Sequence, residues 1–94
     1  MKKDLTKVPG SISYEYLQVM PKIYDLQNNK DLTASEKREE ILIVAMQALN
    51  KANTKTATYD RKRNELIGAL NDNELIRIMQ DTIIHGREFD DGRG

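Results

Sequence analysis

The groups in this chain that could do chemistry are three neighbouring carboxylates, one imidazole and one run of cations. Glu36 and Glu40 lie four apart and would share a helix face, whereas the adjacent Glu39 and Glu40 would point apart. A carboxylate pair works as acid and base only where its surroundings separate two pKa values, and it holds a di-iron centre only beside a histidine at helical spacing. His85 is the only histidine, and it stands far along the chain. Acids in the first turn of a helix match the positive end of its macrodipole, and that is the role expected of these three. By the same argument His85, next to Gly86, fits a cation at a helix C-terminus better than a general base. With no cysteine there is no disulfide, no thiolate nucleophile and no sulfur ligand for zinc. The five glycines, at 10, 68, 86, 92 and 94, make no phosphate-cradling loop. The expectation is a protein that is not an enzyme, with no metal, no cofactor and no small-molecule substrate.

The cations offer more. Lys55, Thr58, Arg61, Lys62 and Arg63, with Thr56 and Tyr59 among them, place charge, hydroxyls and an aromatic on the opening turns of a helix that follows another helix. A recognition helix has that composition, and a nucleic-acid-binding regulator is the alternative reading. Against it stand Asp60 within the run, the lack of a glycine in the preceding turn, and fifteen acidic residues balancing fifteen basic ones. That balance leaves no overall field to draw in a polyanion or a bilayer.

The elements that must hold these groups follow from periodicity. Tyr16, Leu17, Met20, Ile23, Tyr24 and Leu26 recur at steps of three and four, which predicts a helix over Ser13–Leu26. Pro21 either kinks it near Met20 or opens a second piece, and a strand over Ile12, Tyr14 and Tyr16 is the lesser alternative because the alternation stops at Leu17. Thr33-Ala-Ser-Glu36 fits a capping box, and the helix it opens is apolar almost all round from Ile41 to Leu49. Thr58 is expected to cap a third helix reaching about Leu70, with Tyr59, Leu66, Ile67 and Leu70 on one face. Gly68 within that helix costs about 1 kcal/mol relative to alanine, so close approach of a neighbouring helix is its expected compensation. After Asn71-Asp72-Asn73 a fourth helix is predicted from about Glu74 to His85, with Gly86 ending it. The fold class expected is all-α, a compact bundle of three to four helices. It has a flexible arm over 1–10, a single helical-bundle domain over 11–86 and a disordered polar tail over 87–94.

One Phe, no Trp and 94 residues make a lean core. Ile41–Met46 is the longest apolar run, far short of the roughly 18–20 residues a bilayer requires, so no membrane partner is expected. The N-terminal charges run into Val8-Pro9-Gly10 rather than an apolar stretch, so no secretion signal is read there. Together with the absence of cysteine this gives a cytoplasmic expectation. Abundant Lys, Asn and Ile fit an AT-rich coding sequence, that of a low-GC bacterium or one of its phages or plasmids.

The leading functional expectation is a small protein-interaction module, a regulator, inhibitor or assembly factor acting through a helical surface. Ile41, Leu42, Met46 and Leu49 cover too many directions for two short neighbours, and Ile78 lies off the main stripe of the last helix. These five residues are the expected interface, with a protein partner or a second copy of the chain. A homodimer of that kind would have a melting temperature that rises with protein concentration, read by calorimetry across a dilution series.

Overall fold

A computed structural model describes residues 2–53, 56–87 and 89–90. Helices α1 (Ile12–Gln27), α2 (Ala34–Lys51), α3 (Thr56–Gly68) and α4 (Asp72–Arg87) make up most of it, so the chain is an all-α bundle. Local chemistry opens the helices. The Ser11 hydroxyl accepts from the Tyr14 amide at 3.0 Å at the head of α1. At α2 the capping box forms as read: Thr33 Oγ1 accepts from the Glu36 amide at 3.1 Å, and Glu36 Oε1 accepts from the Thr33 amide at 2.9 Å. At α4 Asn71 Oδ1 accepts from the Glu74 amide, and Glu74 Oε1 reaches back to the Leu70 amide, both at 2.9 Å. Caps of this kind contribute typically about 1 kcal/mol each.

Three expectations about helix ends change. α3 opens at Thr56, so Thr58 lies inside its first turn and is not its cap. Pro21 neither splits nor ends the first helix. It sits exposed within α1, while Met20 and Ile23 beside it are buried and hold the helix to the core. Gly86 does not end α4 but lies buried within it.

The core is a single cluster. α1 contributes Ile12, Tyr16, Met20 and Ile23, at the expected steps of three and four, and α4 contributes Leu75, Ile76, Met79 and Ile83. Between them α2 buries Ile41, Val44, Ala45, Ala48 and Leu49, because it packs against α1, α3 and α4 rather than against two neighbours. Ile41 and Leu49 are wholly buried within the chain, while Leu42, Met46 and Ile78 are half-buried against the core. Of the residues expected at an interface, Ile41 and Leu49 are thus covered by the chain's own helices, while Ile43 on the same helix is 47% exposed. α3 is the thinnest contributor, with Leu66 and the following Ala69 buried, while Ile67 and Leu70, expected on its inner face, are exposed.

The glycines exchange roles relative to expectation. No neighbour comes within 4 Å of a methyl built on Gly68, so nothing approaches closely there. On Gly86 the same methyl would stand 2.1 Å from Ser13 Oγ and 2.5 Å from Ser13 Cβ. α1 therefore crosses α4 at a distance only glycine permits, and the Ser13 hydroxyl donates to the Thr82 carbonyl at 3.0 Å across the same contact. Further along, Tyr24 meets Gln80 and Gln27 meets Asn73, so the two helices run antiparallel.

The segment expected as an arm is structured where it is described. Strands β1 (Lys2–Lys3) and β2 (Phe89–Asp90) pair antiparallel, and a 3-10 turn over Leu5–Lys7 packs on α1 and α4. Its hold is polar rather than periodic, which is why apolar spacing did not reveal it. Asp4 caps the turn, Thr6 is buried, and Ser11 Oγ donates to the Leu5 carbonyl at 2.6 Å. Gly10, at φ +92°, lets its carbonyl accept from the Asn53 amide at 2.7 Å, tying the lead into α1 to the end of α2. Of the expected tail, residues 88 and 91–94 lie outside the described residues.

Two substitutions separate the glycines. Gly86→Ala should destabilise the fold by roughly 1–3 kcal/mol through overpacking at the crossing. Gly68→Ala should instead stabilise it by about 0.4–1 kcal/mol, because its site is open and its backbone ordinary. Urea denaturation of both variants measures the contrast.

Candidate functional site

The side chains expected to do chemistry are placed as follows. The Glu36 carboxylate belongs to the α2 cap, and Glu39 and Glu40 are exposed on the next turn. Among the described residues no group of three or more His, Cys, Asp or Glu stands close enough to hold a metal ion, and no helix is long and apolar enough to cross a membrane. His85 is exposed in the last turn of α4, which extends to Arg87.

The basic run does not form one face. Lys55 lies outside the described residues. Thr58 is half-buried, and Lys62 is drawn inward, its ammonium donating to Thr82 Oγ1 at 3.0 Å and pairing with Glu65 at 3.6 Å. Arg61 and Arg63 are both exposed, but at a spacing of two on a helix they point to different sides. Arg61 instead lines a cavity of about 410 Å³ with Thr58, Lys62 and His85. Among the described residues of the run, Arg61 and Lys62 therefore share one wall and Arg63 faces elsewhere.

An apolar groove runs along the antiparallel α1–α4 pair. Its volume is about 420 Å³, its floor includes the buried Met20 and Ile83, and its rim carries Leu17, Tyr24 and Ile84. Tyr24 is 39% and Ile84 52% exposed, although both are large apolar side chains. The Tyr24 hydroxyl accepts from Gln80 Nε2 at 2.8 Å, which fixes the ring over the groove, and Arg87 adds a cation at the rim. Sequence periodicity assigned Tyr24 to the core. The usable signal was Ile84, which falls off the buried stripe of α4.

No family model, curated protein sequence or solved structure matches the chain.

Two further polar features shape the surroundings. Arg38 of α2 donates from its guanidinium to the Ala69 carbonyl at 2.8 Å and to the Ile67 carbonyl at 2.9 Å, satisfying the end of α3 that no glycine motif closes. No pattern local to Arg38 reveals this, since its partners lie 29 and 31 positions away. Tyr16 is wholly buried, and its hydroxyl has no hydrogen-bond partner among the described residues. Burial, with the negative charge of Glu65 adding to it, pushes this phenol well above its ordinary value.

Tyr16 supplies a pH test. In the unfolded chain the phenol releases its proton as pH rises through its ordinary value of 10.0, while in the folded chain it holds it. The folded state therefore binds more protons there, and stability falls as pH climbs above that value. Tyr16→Phe should remove this alkaline component. At neutral pH it should leave stability equal or higher, since a partnerless buried hydroxyl carries a desolvation cost of about 1–3 kcal/mol. Denaturation midpoints of the two proteins across neutral to alkaline pH give the comparison.

Proposed function

We propose that this chain is a small, non-enzymatic protein-interaction module, a cytoplasmic regulator, inhibitor or assembly factor, and that its working surface is the α1–α4 groove. The supporting observation is the exposure of Tyr24 and Ile84 together above a buried floor of Met20 and Ile83, which makes a lined apolar groove rather than a single exposed side chain such as Ile43. The occupant is an amphipathic helix of a partner protein. Leu17 to Tyr24 spans about 10 Å of α1, two helical turns, which matches the spacing of anchors that a helix lays into a groove. Tyr24 offers area at little entropic cost, and one aliphatic side chain of the partner buried between Tyr24 and Ile84 would gain about 1.5–3 kcal/mol. Arg87 and Gln80 at the rim call for a carboxylate or another acceptor on the edge of that helix.

The experiment places a photo-crosslinking residue at position 84, identifies what it captures in a host lysate, and measures binding of the purified partner. Ile84→Asp should weaken binding at least about tenfold, or 1.4 kcal/mol, while Ile67→Asp, an exposed position outside the groove, should leave it unchanged. Equal affinity for wild type and Ile84→Asp, with crosslinks recovered only from positions outside the groove, would overturn the reading.

A further inference from the structure

The second concave place shares no lining residue with the groove. It opens where α1 begins, beside the first turns of α3 and the last turns of α4. Its volume, about 410 Å³, is that of a small-molecule site. Its charge is one-sided: Arg61 and Lys62 line it with the His85 imidazole beside them, and among the described residues no acidic one does, in a chain whose acids and bases are equal in number. Leu5 and Ile12 give it an apolar wall.

The surrounding contacts hold this arrangement in place. Lys62 is held by Thr82 Oγ1 and, on its outer side, by Glu65. Gly86 and Ser13, at the helix crossing, form part of the lining, so the cavity depends on the closest contact in the bundle. Ile12 and Ser13 are the first two residues of α1. Their amides belong to the turn whose donors have no intrahelical acceptor, at the positive end of that helix.

We infer that this cavity binds a small amphiphilic anion, with one acidic head group facing Arg61 and His85 and an apolar body against Leu5 and Ile12. The guanidinium recognises the head by charge-assisted hydrogen bonds. A nucleic-acid backbone is a poorer match, because of the described basic run only Arg61 and Lys62 line the cavity while Arg63, two positions on, faces another side of the helix. The inference does not rest on the groove, and either can stand without the other.

The probes are phenyl phosphate and benzoate, which carry head and body, inorganic phosphate, which carries the head alone, and benzyl alcohol, which carries the body alone. Each is titrated into the isotope-labelled full chain and followed by amide chemical shifts. Phenyl phosphate or benzoate should saturate and move the resonances of Ile12, Ser13, Thr58, Arg61 and His85, with the single-feature probes weaker by roughly tenfold. Arg61→Gln, at an exposed position, should keep the melting temperature and lose roughly tenfold in affinity, and His85→Ala should weaken binding as well. A short DNA duplex should leave bound phenyl phosphate in place. The inference is overturned if neither head-and-body probe outbinds benzyl alcohol, if Arg61→Gln binds like wild type, or if the duplex displaces the probe.

Discussion

The contact on which the rest of this molecule depends is the crossing of α1 over α4 at Ser13 and Gly86. There the backbone of one helix meets the side chain of the other with no space for a Cβ at position 86. A hydroxyl-to-carbonyl hydrogen bond locks the same point. Once that point is set, the antiparallel course of the pair follows, and with it the meeting of Tyr24 with Gln80 and of Gln27 with Asn73. Residues 82, 85 and 86 of α4 then line the cationic cavity, while 80, 83, 84 and 87 line the apolar groove. One close approach thus sets up two separate surfaces on a single helix.

α2 plays the complementary part. It is the element against which every other helix packs, and its small residues, Ala45 and Ala48, bring those neighbours near enough to cover Ile41 and Leu49. A core without tryptophan depends on such coverage, because a domain of this size has little apolar area in reserve. The buried Tyr16 ring supplies bulk that the aliphatic residues lack, and its partnerless hydroxyl is the accompanying cost.

What could be read from the sequence is what is decided within a few residues. The capping box at Thr33 and Glu36, the stripe of α4, the Tyr16, Met20 and Ile23 part of the α1 stripe, and the break at Asn71 each depend on neighbours three or four positions away, and each forms as read. What could not be read is decided across the chain. Ser13 and Thr82 are 69 positions apart, so nothing beside Gly86 marks it as the close-approach glycine rather than Gly68. Lys62 looked like its neighbours Arg61 and Arg63 until Thr82 was brought beside it. The five residues expected at an interface were chosen on the apolar content of α2 and α4, and that content could not show that α2 has three neighbours instead of two. The candidate site was less legible than the fold for this reason: a helix stripe is local, whereas a groove is made by two helices that meet only after folding.

The pairing of Lys2–Lys3 with Phe89–Asp90 changes how the topology is best described. With those segments side by side, the path from α1 through α4 returns to its origin, and the four helices form a nearly closed circuit rather than a line with two loose ends. In such a circuit the order of helices around the ring matters and the place where the covalent chain opens matters much less. A circular permutant joined across the β1–β2 pair and opened in the exposed turn at Asn28–Lys30 would keep each helix, the Gly86 crossing and both concave surfaces. Only the covalent order in which they are synthesised would change.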